Sequence, residues 1–213
     1  MKSDAIGLSF NWERCPDGVE LAVADSSDPS VQIFRFRSER RRQGRLTVTN
    51  LENPLVVRFL NAHDDNHKLA FFGEYGLPIG TGTTPESVRL IQKRLRLLLD
   101  AAGSGDAIRA RGVLDRSLVA ARLKPTVEIA EPETHRLALM VQPDGLFGLM
   151  QMEAAMVAIN GARLATCRHC KDVFLTGPLT GRRSHAQYCS DRCRVAAMRL
   201  RNASEERKSD VSP

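Results

Sequence analysis

Short runs of β-branched and aromatic residues alternate with turn-forming residues over the first fifty positions of the chain. Pro16-Asp-Gly18 and Asp28-Pro-Ser30 separate neighbouring runs, and the later runs partly alternate between apolar and polar side chains, as half-buried antiparallel strands do. The pattern therefore predicts a β-rich N-terminal segment. Its strands are expected at 6–10, 19–23, 31–36 and 45–49.

The spacing of apolar positions changes to three and four residues in the middle of the chain, which predicts an amphipathic helix packed on a core. The apolar stripe consists of Val88, Ile91, Leu95, Leu98 and Ala102. Thr83 and Glu86 suit a capping box at the start of this helix, and Gly103 suits its end. A second helix is predicted over 106–123, and an apolar helix, buried in a core or between subunits, over 146–159.

Three connecting segments complete the predicted elements of the first 160 residues. Residues 54–78 are interpreted as a strand followed by a short helix that Asp64 or Asp65 caps. Residues 125–134 are extended and acidic, and residues 136–141 form a possible strand.

Four of the five cysteines form two close pairs, Cys167 with Cys170 and Cys189 with Cys193, and eighteen residues separate the pairs. Each pair places two thiolates within reach of one ion, and the stretch between them is long enough to fold back as a hairpin. Four sulfur ligands leave no open coordination position, so we predict one structural Zn²⁺ per chain. His185 is the alternative to Cys193 as the fourth ligand.

Short strands are predicted on either side of the first cysteine pair, at 163–166 and 171–175, followed by a loop at 176–181. A helix is predicted from Ser190 onward, with Ser190 or Asp191 as its cap, so that Cys193 falls in its first turn. This order of knuckle, hairpin and helix is the treble-clef arrangement, and the partial positive charge of a helix N-terminus suits thiolate ligands.

Taken together, the predicted elements indicate an α+β protein with a β-rich N-terminal segment, a helical middle region and a C-terminal zinc treble-clef finger. We expect an N-terminal α+β domain over 1–160, which senses a ligand or dimerises. A zinc-finger domain is expected over 161–206 and a disordered tail over 207–213.

Charge is distributed unevenly along the chain. Residues 160–213 hold eleven Lys and Arg against five Asp and Glu, a balance of +6, whereas residues 1–159 hold twenty of each kind. A Zn²⁺ with four thiolates contributes −2, so the C-terminal part would still carry +4. Such an asymmetry indicates a polyanionic partner for the cysteine-bearing end.

Arginine supplies most of this positive charge, and guanidinium groups match phosphate oxygens well. We therefore predict DNA contacts from the finger's loop and helix, through Arg182, Arg183, Arg192, Arg194, Arg199 and Arg201. A zinc-stabilised protein-interaction module is the alternative, with the arginines facing an acidic protein. RNA binding is a third reading, disfavoured because only 5% of the residues are aromatic.

At these residues the chain resembles the CGNR-type zinc-finger proteins of bacteria. The matching positions are Cys167, Cys170, Phe174, Gly181-Arg-Arg183 and the stretch from Tyr188 to Cys193; the family's Cys-Gly-Asn-Arg is replaced by Cys193-Arg-Val-Ala196. The resemblance implies a transcription regulator whose finger contacts DNA and whose helical N-terminal region, known as ABATE, binds a small ligand. Residues 55–61 are loosely similar to the opening of that region.

Several other classes of protein are not indicated. No apolar leader precedes the cysteines, and no apolar run is long enough to span a bilayer, so we expect a cytoplasmic protein without a membrane partner. We predict no enzyme, because no Ser/His/Asp set, phosphate loop or open metal site occurs. His63 and His67 are interpreted as polar surface, and Cys15 as a free thiol.

Overall fold

The structure is a computed structural model that describes residues 7–25, 28–48, 51–79, 82–131 and 136–209. It is a mixed α+β protein, as predicted, with most strands in the N-terminal part and helices in the middle and at the C-terminal end. The predicted strand ends at residues 6 and 49, the acidic residues 132–134 and the tail residues 210–213 lie outside the described part of the chain.

Within the described ranges, eight strands form three small sheets. They are β1 (Gly7–Arg14), β2 (Val19–Asp25), β3 (Asp28–Phe36), β4 (Arg42–Val48), β5 (Lys124–Glu131), β6 (Arg136–Gln142), β7 (Arg163–Thr166) and β8 (Val173–Thr176). One sheet has the order β4-β1-β6-β5, and the hairpins β2-β3 and β7-β8 form the other two. Within the first sheet β1 pairs antiparallel with β4 and parallel with β6.

The helices are α1 (Leu55–Leu60), α2 (Asp65–Tyr75), α3 (Pro85–Ala102), α4 (Ala107–Ala120), α5 (Leu146–Ile159) and α6 (Asp191–Ser209). The first, second, third and fifth of these helices provide most of the buried apolar side chains. The predicted helices at 106–123 and 146–159 are thus confirmed within a few residues. The last helix extends into the segment that was predicted to be a disordered tail.

The first helix is a correction, because residues 55–60 were predicted as a strand. Leu55, Val56, Val57, Phe59 and Leu60 are β-forming or neutral residues, yet all five are buried in helical conformation. Their helix has no side-chain cap of its own from Pro54. Burial on nearly every side, together with a carboxylate supplied from α5, overrides the local preference for a strand.

The start of α3 lies one residue later than the sequence predicted. Thr84 is the N-cap, and its side chain and that of Ser87 form a reciprocal capping box. Thr83 does not cap the helix because its carbonyl accepts a hydrogen bond of 2.7 Å from the Phe34 N–H, which holds it in an extended bridge to β3. Glu86 therefore lies in the first turn and is not part of the capping box.

Aromatic side chains connect the sheets to the helices. Phe34 of β3 packs edge-on against Phe72 of α2, with ring centroids 5.1 Å apart. The Trp12 indole of β1 donates a hydrogen bond to the Glu74 carbonyl and lies over Gly44 of β4, where an added Cβ would approach the ring to 2.4 Å. These contacts belong to one core, in which α1 and α3 lie beside the cysteine-bearing hairpin.

Candidate metal centre

The four paired cysteines come from three different local structures. Cys167 follows β7, and Cys170 lies in the turn that leads to β8. This turn is closed by a hydrogen bond of 2.8 Å from the Cys167 N–H to the Asp172 carbonyl, and Lys171 adopts a positive φ of 70° within it. Cys189 ends the following loop, and Cys193 lies in the first turn of α6.

Their sulfur atoms converge on one point, since all four lie within 4.8 Å of one another. The Sγ atoms of Cys170 and Cys189 are 3.6 Å apart, and those of Cys189 and Cys193 are 3.5 Å apart. Tetrahedral coordination with Zn–S bonds of about 2.3 Å requires sulfurs about 3.8 Å from each other. The group can therefore hold one metal ion with four sulfur ligands.

The two histidines near the finger do not belong to this group. His169 and His185 are absent from the set of ligand atoms within 4.8 Å of one another among the described residues. The structure consequently favours Cys193 over His185 as the fourth ligand. Four protein ligands close the coordination sphere, which is typical of structural sites and not of catalytic ones.

The pKa values of Cys167, Cys170 and Cys189 are shifted by burial and by their neighbours in the cluster. Burial raises the pKa of Cys167, but backbone hydrogen bonds from Cys189, Cys170 and His169 outweigh it and lower the value to about 6. Burial and the neighbouring thiols raise the pKa of Cys170, and burial followed by Cys193 raises that of Cys189. A bound divalent cation would supply the positive charge that a cluster of thiolate ligands needs.

The N-terminus of α6 supports this sulfur cluster. Ser190 caps the helix: its hydroxyl accepts a hydrogen bond of 3.3 Å from the Cys193 N–H, and its carbonyl accepts one from the Arg194 N–H. Of the two predicted caps, Ser190 and Asp191, it is Ser190 that caps the helix. The aligned N–H groups of the first turn carry partial positive charge, so this end of the helix suits an anionic metal ligand.

The finger is joined to the N-terminal part of the chain by paired hydrogen bonds. The Asn61 side-chain amide donates to the Val173 carbonyl and accepts from the Val173 N–H, both at 2.8 Å. The Leu51 N–H also donates to the Leu179 carbonyl at 2.9 Å. Asn61 carried no signal in the sequence that would have marked it as a docking residue.

Apolar packing continues across the same junction. Val173 and Leu175 of β8 and Ala162 before β7 are buried in the core that α1, α3 and α5 form. The domain boundary at residue 161 stays a prediction, and buried contacts cross it. The hairpin of the finger therefore shares the core of the N-terminal part.

The six arginines predicted to contact DNA have different surroundings. Arg182 is directed inward and hydrogen bonds to backbone carbonyls, and Arg194 forms an ion pair of 3.1 Å with Asp191. Arg201 is exposed but is not without a partner. The other three of the six, Arg183, Arg192 and Arg199, are exposed, and their guanidinium groups have no partner among the described residues.

A groove of about 920 Å³ opens beside the metal centre, between the loop 180–190 and residues 52–53. Its walls include Arg183, His185 and Arg194 on the finger, and Glu52 and Asn53 on the N-terminal side. The groove is lined mostly by polar groups, which suits a charged macromolecule better than a small apolar ligand.

No protein-family model matches this chain, and no curated protein matches it significantly in sequence. The resemblance of the finger to the CGNR-type proteins therefore has no independent support from these comparisons. None of the helices in the described residues is both long and apolar enough to cross a bilayer.

Proposed function

We propose that this chain is a DNA-binding transcription regulator whose C-terminal treble-clef finger is held together by one structural Zn²⁺. The cluster of four cysteines supports the proposal of a bound metal. Zinc is the ion that four thiolates in this spacing most commonly bind. The resemblance to CGNR-type proteins points to the same function.

One observation carries the proposal of DNA binding: α6 leaves the finger as an exposed basic helix. None of its residues from 191 to 203 is buried, and the helix has nineteen residues, or about 28 Å at 1.5 Å per residue. Arg192 and Arg199 are seven residues apart and lie on one side of it. A helix of this exposure and charge fits the major groove of DNA, with its arginines on the phosphates.

The test is a DNA-binding titration at several salt concentrations with the double variant Arg192→Ala/Arg199→Ala. If both side chains contact phosphate, the slope of log Kobs against log[salt] decreases by about 1.8 in magnitude. The matched control is Arg109→Ala/Arg116→Ala on α4, which removes the same charge from exposed positions outside the finger. Binding that is undetectable at low salt for the wild-type chain would rule out the proposal.

A protein partner is the second candidate function, and two exposed apolar residues of α6 favour it. Met198 and Leu200 are 48% and 64% exposed although they lie among arginines. Such a mixed surface also fits an acidic protein with apolar anchors. Recovery of a protein partner after nuclease treatment, with no DNA shift at low salt, would favour this function.

Ligand sensing and dimerisation by the N-terminal part stay predictions. Two of its cavities measure about 220 Å³ and 180 Å³, one beside Gly103 and Gly161 and one beside Arg58 and Glu74. Both are smaller than the 300–1,000 Å³ or so that is typical of small-molecule sites. Any ligand of these cavities would have to be small or be admitted by movement of the surrounding helices.

A further inference from the structure

We propose that Arg182 is a positioning residue of the metal centre, which links metal binding to the order of the segment that leads into α1. This inference goes beyond DNA binding and does not depend on it, but it requires the four cysteines to bind a metal. It also assigns Arg182 a role different from the phosphate contact that the sequence predicted.

The guanidinium of Arg182 connects a cysteine ligand to the N-terminal part of the chain. Its Nε donates a hydrogen bond of 3.0 Å to the carbonyl of Cys189. Its Nη1 donates to the carbonyls of Glu52, at 3.3 Å, and Thr180, at 3.4 Å. One planar group thus bridges the backbone of a sulfur ligand and the backbone of a residue 130 positions earlier in the chain.

The position of this guanidinium is fixed from two further directions. It lies over the buried Phe174 ring, with its central carbon 5.7 Å from the ring centroid. Its backbone N–H donates to the Thr180 hydroxyl, which in turn donates to the Gly177 carbonyl at 2.7 Å. Arg183, the next residue, is exposed and has no such contacts. The two adjacent arginines therefore have different environments and should respond differently to substitution.

Arg182 contacts the segment that leads into α1, a helix buried in the core. Residues 51–54 lead directly into α1, and the first two N–H groups of α1, those of Leu55 and Val56, donate to the buried Glu153 carboxylate at 3.0 Å and 2.7 Å. Hydrogen bonds of Arg182 therefore join the Cys189 carbonyl to the Glu52 carbonyl, and the backbone of residues 52–54 continues from there to the start of α1. Groups that orient metal ligands affect affinity strongly, and any coupling between metal and this segment is reciprocal.

The first experiment compares the Zn²⁺ affinity of the intact wild-type chain with that of Arg182 and Arg183 variants, by competition with a chelating dye. We expect Arg182→Ala to weaken Zn²⁺ binding about tenfold or more, because it removes the group that holds the Cys189 backbone. Arg182→Lys keeps the charge but not the planar fork, and it should also bind Zn²⁺ more weakly than the wild type. Arg183→Ala is the matched control and should leave Zn²⁺ affinity unchanged.

The second experiment measures hydrogen exchange of the wild-type chain with Zn²⁺ and after its removal by a chelator. Amides of residues 51–62 should exchange faster after removal, whereas those of α4 should not change. This measurement tests the coupling even if Arg182→Ala does not fold, and the Zn²⁺ affinity of Arg182→Lys then tests the positioning role.

Three outcomes would overturn the proposal. Zn²⁺ affinity of a folded Arg182→Ala chain within twofold of the wild type would remove the positioning role. Unchanged exchange at 51–62 would remove the coupling. A wild-type chain that binds no Zn²⁺ would overturn both the coupling and the metal centre itself, which distinguishes that failure from the first two.

Discussion

At the scale of single residues, Glu153 is the most unusual group of the core. Its side chain is buried in α5, and its two oxygens accept hydrogen bonds from the N–H groups that begin α1. Burial raises its pKa to about 7 from an ordinary value of 4.5, although the two hydrogen bonds from Val56 and Leu55 act in the opposite direction. The carboxyl group therefore titrates near neutral pH in the folded chain.

This shift predicts a stability that depends on pH. The pKa of Glu153 is higher in the folded chain than in the unfolded one. The stabilisation that the protonated Glu153 carboxyl contributes is therefore fully present below about pH 4.5 and is lost as pH rises through about 7. The difference in pKa corresponds to about 3 kcal/mol in the free energy of unfolding.

Urea unfolding at constant metal loading, from pH 5 to pH 8, measures this change. The wild-type free energy of unfolding should fall over that range, and the fall should be smaller in Glu153→Gln, which cannot ionise. Equal pH dependence in the two chains would contradict the pKa assigned to Glu153. The exposed Glu86→Gln serves as the control and should follow the wild type.

At the scale of elements, the sequence was most informative where periodicity was strong. The stripe from Val88 to Ala102 and the apolar run 146–159 are both helices. The two cysteine pairs also converge as their spacing indicated. In each of these cases the signal lies within about twenty-five residues of sequence, so local reasoning was sufficient.

Long-range partners explain what the sequence did not predict. The helix at 55–60 depends on Glu153, about 98 positions later, and its apolar residues have the composition of a strand. The pairing of β1 with β6 joins Gly7 to Met140, and nothing in either strand specifies the other. Arg182 could not be separated from Arg183 by sequence, because only the fold directs one guanidinium inward.

The contact between α1 and β8 gives an element-scale prediction. Asn61→Ala removes both hydrogen bonds between the Asn61 side chain and the Val173 backbone. The N–H and C=O groups of Val173 are then left without their partner at a partly buried position. We expect a loss of about 1–3 kcal/mol in the free energy of unfolding, measured by urea denaturation.

The matched control for this prediction is Asn66→Ala on α2, where the side chain is exposed. It should change the free energy of unfolding by less than about 0.5 kcal/mol. Equal stabilities of the two variants would show that the paired hydrogen bonds do not join the finger to the N-terminal part.

At the scale of the whole molecule, the metal centre lies between two regions of different character. On one side, the hairpin β7-β8 packs into the same core as α1, α3 and α5. On the other side, α6 presents exposed arginines and no buried residue among those described. A bound ion at this position would hold the basic helix in a fixed orientation relative to the core, as the proposed contact with DNA requires.

The coordination of the bound metal tests this account most directly. X-ray absorption at the zinc edge of the purified chain should show one Zn²⁺ per chain with four sulfur ligands at about 2.3 Å, and Cys193→Ser should reduce the sulfur count to three. A wild-type spectrum with a nitrogen ligand in place of one sulfur, or a chain that retains no zinc, would contradict it.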